Sequence, residues 1–90
     1  MKPNIGKKVY IIYQDTISLA EVGYIGAQSF LVSDFENCFA DAVEYFYSEY
    51  GRTWFTSFAA AKKQILEDYN KDLRVPLKLV RKNETYWELE

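Results

Sequence analysis

The stretch KKVYIIY, residues 7–13, is built of β-branched and aromatic side chains and is apolar on both sides. Such side chains fit a pleated surface, and alternate positions of a strand point to opposite faces. Val9, Ile11 and Tyr13 therefore line one face, and Tyr10 and Ile12 the other. A strand with two apolar faces needs cover on both, which places it at the centre of a sheet or inside a barrel. A chain of 90 residues has room for one hydrophobic core and not for two. The cover must then come from the same small sheet, curled, together with whatever helix the chain can add. One domain is expected over 1–90, with an ordered core over 5–90.

The flanking sequence supplies more strands. Residues 17–26, ISLAEVGYIG, read as a second strand in which Gly23 marks a bulge or a sharp bend. Residues 28–35, QSFLVSDF, return after Gly26 and Ala27 as the next arm of a hairpin, which makes a three-strand meander. Residues 36–42, ENCFADA, have no clear period and read as a loop or one short helical turn. Residues 43–50, VEYFYSEY, alternate, with Val43, Tyr45, Tyr47 and Glu49 on one side and Glu44, Phe46, Ser48 and Tyr50 on the other. RTWF follows Gly51 directly, so the pair reads as a hairpin in which the glycine supplies the positive φ of a tight turn.

The period then changes. Phe58, Ala61, Ile65 and Tyr69 recur at three- and four-residue steps, with Lys62, Lys63, Glu67 and Asp68 off that stripe, the pattern of an amphipathic helix. Thr56 or Ser57 is placed to cap its N-terminus. Asn70 suits the left-handed conformation that ends a helix, and Pro76 blocks continuation. LKLVRK and TYWELE flank Asn83 and Glu84 as a final hairpin. The expected class is α+β, mainly β. The first choice is a small SH3-like barrel carrying one helix over 57–70; the alternative is a curled or open antiparallel sheet with that helix on one face.

Composition limits the chemistry. There is no histidine, which removes the commonest general base and the commonest transition-metal ligand. Cys38 is the only cysteine, so no intrachain disulfide forms, and it reads as a small buried hydrophobe before it reads as a reactive thiol. No pair of Asp, Glu, Lys or Tyr has spacing that argues for catalysis, and no enzyme activity, cofactor or metal is expected. The acids Asp34, Glu36, Asp41, Glu44 and Glu49 lack the spacing of a calcium loop and read as a solvated face. The longest apolar run, Val9 to Tyr13, is far short of the roughly 20 residues of a membrane span. MKPNIGKK is not followed by the apolar stretch of a signal peptide, so a cytoplasmic protein is expected. Charge is polarised: those five acids fall between Asp34 and Gly51 with no Lys or Arg, whereas 62–82 carries seven basic residues against three acids.

The segment YGRTWFTSFAAAKKQIL, residues 50–66, preceded by GKKVYII, resembles a group of small proteins, mostly without known activity, from Gram-positive bacteria and their phages. In that group a short β-barrel-like core is followed by a glycine, a Trp-Phe strand, a Thr-Ser cap and a helix with alanine at a fixed place. Gly51, Thr53, Trp54, Phe55, Thr56, Ser57 and Ala61 match the pattern, and Gly6 to Tyr13 match it more loosely. Acids that commonly follow the cap there are replaced here by Phe58, Ala59 and Ala60, so no capping box can form. The resemblance implies an accessory protein of a phage or mobile element and names no activity.

Nine of the sixteen aromatic residues fall between Phe35 and Phe58. Strand alternation sends neighbouring rings to opposite faces. Phe55, Phe58, Ile65 and either Tyr45 or Phe46 are assigned to the core, which leaves Tyr47, Tyr50 and Trp54 for an exposed platform, since Tyr and Trp are enriched at dominant interface positions. The competing reading is that these rings close the end of the barrel. With Arg52, Glu44 and Glu49 beside them, they form a candidate surface for another protein, and the acids would complement a basic partner, as in an inhibitor. The rival is a nucleic-acid-binding barrel using the basic 62–82 region, because bases stack on rings but phosphates need cations nearby.

Overall fold

The computed structural model describes residues 2–34, 43–71 and 74–90. The expected loop at 36–42, the setting of Cys38, and the acids Glu36 and Asp41 lie outside the described residues. Strands β1 (Lys8–Tyr13), β2 (Thr16–Ile25) and β3 (Ser29–Asp34) form the expected antiparallel meander. They are followed by β4 (Val43–Phe46), a single 3₁₀ turn (Tyr47–Glu49), β5 (Trp54–Phe55) and helix α1 (Phe58–Asn70). A hairpin of β6 (Leu79–Asn83) and β7 (Tyr86–Leu89) closes the chain. The class is α+β, mainly β: a single sheet curled into a half-barrel with one helix.

The sheet runs β4-β3-β2-β1-β5, and β7 joins it beside β2. Because β2 is ten residues long, one of its edges holds β7 at Thr16–Ser18 and β3 from Ala20 onward, while its other edge holds β1. β1 therefore lies inside the sheet, between β2 and β5, which is why both of its faces are apolar. Val9 and Ile11 face the inside of the curl with Ala20, Val22, Phe30, Val32 and Trp54. Tyr10 and Ile12 face outward, where α1 lies across β1, β2 and β5 and buries Ala61 and Ile65 with Ile17, Phe55 and Leu89.

Gly23 sits at the expected bulge: the β2–β3 register shifts between Val22 and Tyr24. A bulge inserts one residue and exchanges the faces of those after it. Tyr24, which strict alternation would send inside with Val22, pairs with Leu31 on the outer face, and Ile25 pairs with Phe30 inside.

Two local expectations are corrected. Residues 43–50 and 52–55 do not form a hairpin. β4 pairs with β3, β5 pairs with β1, and between Tyr50 and Trp54 there is only an isolated parallel bridge. The chain leaves the β4 ladder at Phe46, where Glu49 turns it: Glu49 Oε1 accepts from the Phe46 N–H at 3.0 Å, Oε2 accepts from Thr53 Oγ1 at 3.1 Å, and the Glu49 carbonyl accepts from the N–H groups of Arg52 and Thr53. Gly51 does take the positive φ expected of it, +85°. Asn70, in turn, is not left-handed, and the next residue, Lys71, is still right-handed helical (φ −52°). The Asn70 side chain instead holds the returning chain, accepting from the Leu77 N–H at 2.8 Å and donating to the Leu77 carbonyl at 3.2 Å. At the other end Ser57 is the cap, its Oγ accepting from the Ala60 N–H at 3.4 Å.

Candidate interaction surface

The aromatic corner does two jobs, and only one of them is at the surface. Trp54 is fully buried, so its place on an exposed platform is overturned. Its two-residue strand points Trp54 into the curl and Phe55 under the helix, and the buried indole meets Phe30 edge-on, with centroids 4.8 Å apart. A buried indole N–H needs an acceptor, and Trp54 Nε1 donates to the Phe46 carbonyl at 2.9 Å. The half-barrel is thus drawn together at its open side: β4 and β5 share no ladder, and a side chain from one bonds the backbone of the other.

Tyr47 and Tyr50 belong to the same closure. The Tyr47 ring stacks on Phe30 with centroids 5.9 Å apart, and its hydroxyl donates to the Gly26 carbonyl at 2.7 Å. Tyr50 leans on Trp54 with centroids 4.7 Å apart, and its hydroxyl shares a hydrogen bond with Thr56 Oγ1, leaving the ring 40% exposed. These rings close the end of the curl. Glu49 is half-buried and spends both carboxylate oxygens on the turn. Arg52 is exposed on the turn beyond Gly51.

An exposed apolar surface lies on the outer face of β2, β3 and β4. Tyr24, Leu31 and Glu44 stand directly opposite one another across the three strands, and Phe46 follows Glu44 on the same side of β4, opposite Ser29. Tyr24 is 59% and Phe46 45% exposed. Glu44 Oε2 accepts from Ser29 Oγ at 2.6 Å, which fixes the carboxylate in the middle of the apolar group. Glu44 is the one member of the sequence-derived set, with Tyr47, Tyr50, Arg52, Trp54 and Glu49, that this surface contains. Tyr24 and Leu31 were missed because alternation places Tyr24 inside; the signal that could have found them is Gly23, whose bulge turns the ring outward.

One basic residue of 62–82, Arg81, meets a separate group of rings. Arg81 lies over Trp87, its guanidinium carbon 5.9 Å from the ring centroid, and Trp87 packs on Phe58 and Tyr10 at 4.6 and 6.1 Å. Lys82 is paired with Glu90, whose hydrogen bond raises the lysine pKa above its ordinary value of 10.5. Among the described residues no three acidic or thiol side chains converge as a metal site, and no helix is long and apolar enough to cross a membrane. Comparison of the chain with protein-family models, with curated proteins and with solved structures finds no match.

Proposed function

We propose that this protein is a non-catalytic binding module that holds another protein against the outer sheet face of β2, β3 and β4. The observation that carries the reading is the exposure of two large rings, Tyr24 and Phe46, on a rigid antiparallel sheet around a fixed carboxylate, Glu44. Aromatic rings in such a setting bury large areas at little entropic cost. Glu44 favours a basic partner and disfavours an acidic one. Together with the resemblance described above, this supports an accessory protein of a phage or mobile element that works in the cytoplasm and inhibits a host protein by occupying its basic surface.

The test is capture from nuclease-treated bacterial lysate with the tagged protein, with the Tyr24→Thr/Phe46→Thr variant and with Glu44→Lys, read by mass spectrometry. Threonine keeps strand propensity while removing the rings. A stoichiometric partner retained by the wild type and lost from both variants, each with an unchanged melting curve, is the expected result. A partner held equally by all three sinks the reading.

One observation favours a second reading, a nucleic-acid-binding protein: Arg81 brings a cation of the basic region onto Trp87, itself part of a ring cluster. Phosphate contacts weaken steeply with salt, so retention of single-stranded oligonucleotide that falls with ionic strength and is lost on Arg81→Ala would favour it.

A further inference from the structure

The sheet's edge strands are treated differently. At β4 the outward backbone groups of Phe46 are both occupied, the N–H by Glu49 and the carbonyl by Trp54. At β5 the Trp54 carbonyl accepts from the Gly51 N–H at 3.0 Å, and Tyr50 bridges alongside. Glu49, Gly51 and the Trp54 indole therefore occupy the outward groups of Phe46 and Trp54 at the two ends of the curl. The third edge is β6. Lys78 and Glu90 exchange both backbone hydrogen bonds, so along this antiparallel ladder Val80 and Glu88 form the next bonded pair, and the N–H and C=O groups of Leu79 and Arg81 point away from β7. The preceding outward pair, that of Leu77, is taken by the Asn70 side chain. Among the described strands β6 pairs with β7 alone, so the groups of Leu79 and Arg81 face away from the sheet up to the register shift between Arg81 and Asn83.

This open edge is positively charged. From Arg74 to Asn83 the chain carries Arg74, Lys78, Arg81 and Lys82 and no acid. Among the described residues the ion pair here is that of Lys82 with Glu90, and Glu88 stands opposite Val80 on β7. Cations on an edge strand repel a second copy of the same edge, a common defence against self-pairing. They attract an extended segment of opposite charge.

We infer that β6 is a strand-addition site for an extended acidic segment of a partner protein. The segment pairs with the backbone of Leu79 and Arg81 and sets carboxylates against Lys78, Arg81 and Lys82. Main-chain hydrogen bonds supply the pairing and alternate side chains the selectivity, as in other modes of strand addition. The site is independent of the Tyr24–Phe46 face: it lies on a different edge and uses backbone groups and the opposite charge.

The probe is a short capped peptide alternating glutamate with valine, compared with its lysine counterpart and with a version N-methylated at alternate residues, and read by amide hydrogen exchange and NMR on the whole chain. In the free protein the amides of Leu79 and Arg81 exchange fast while that of Val80 is protected. The acidic peptide at ten times its Kd slows Leu79 and Arg81 by about tenfold, the factor by which the free protein is depleted. The lysine and N-methylated peptides do not, and Lys78→Glu with Lys82→Glu reverses the charge preference. Protection of Leu79 and Arg81 in the free protein, equal binding of both charges, a response centred on Tyr24 and Phe46, or dimerisation through β6 would each overturn the proposal.

Discussion

β2 carries apolar side chains onto the outer face of the sheet at both ends, Ile17 and Leu19 at one and Tyr24 at the other, yet Ile17 is fully buried and Tyr24 is 59% exposed. The difference lies above the strand. α1 has 13 residues, which makes it about 20 Å long, whereas the molecule extends 42 Å along its longest axis. One helix cannot cover the whole face. It covers the half formed by β1, β5 and the start of β2, with β7 at its flank; at the other half, formed by the end of β2, β3 and β4, Tyr24 and Phe46 stand exposed. Rings of the same chemistry thus hold the fold together in one half and stand exposed in the other.

The contrast is broken most severely from inside the curl. Trp54→Ala is expected to cost about 3–5 kcal/mol, the range for removing a buried aromatic side chain, and to leave the Phe46 carbonyl without its donor. Urea denaturation of the purified variant measures this, and a loss under about 1 kcal/mol would mean that Trp54 is not the pin between β4 and β5. Ile65→Ala, under the helix, is expected to cost about 2–5 kcal/mol in the same assay. Comparing the two shows whether the helix-covered core and the curl's interior unfold together. Ser57→Ala removes the helix cap and is expected to cost about 0.5–1 kcal/mol, the low end of the usual range because its hydrogen bond is long. The double variant Tyr24→Thr/Phe46→Thr is expected to stay within about 0.5 kcal/mol of the wild type while losing its partner, and a large loss of stability would place those rings in the structural half after all. The smallest effect is that of Lys82→Met. A lysine whose folded pKa is raised contributes stability that is fully present below 10.5 and is lost as pH rises through the raised value. Melting curves of this variant and the wild type should therefore differ slightly at neutral pH and converge in strong alkali.

Much of this was legible from local rules. The two-faced strand 7–13 required a central position, and β1 has one between β2 and β5. Gly23 marked the bulge, Thr56 or Ser57 the helix start and Gly51 a positive φ, and the last hairpin forms with its turn at Glu84–Thr85, one residue beyond Asn83–Glu84. Each of these depends on a few neighbouring residues, through steric limits on φ, capping chemistry or side-chain period. The assignment of Phe55 and Ile65 to the core also holds; Phe58 and Tyr45 pack against it partly buried, and Phe46 is left outside. The hairpin expected around Gly51 failed because alternation in 43–50 cannot say which strand is the neighbour. Glu49 and Trp54, through hydrogen bonds that run beyond any strand period, fold that segment into a turn and leave β4 to β3.

The candidate surface was less legible for the same reason. Its carboxylate, Glu44, stood in the sequence-derived set, but Trp54, one of the three rings expected at a surface, is fully buried. By itself the sequence determined the elements, the central strand, the helix and its cap, and the polarity of charge along the chain, because propensity, periodicity and composition act over a few residues. Only the tertiary structure decided which rings are buried, which outward groups at the sheet edges are occupied and which half of the outer face the helix covers. Those outcomes depend on how far the sheet curls and how far a helix of this length can reach, and both are set by contacts between residues distant in sequence.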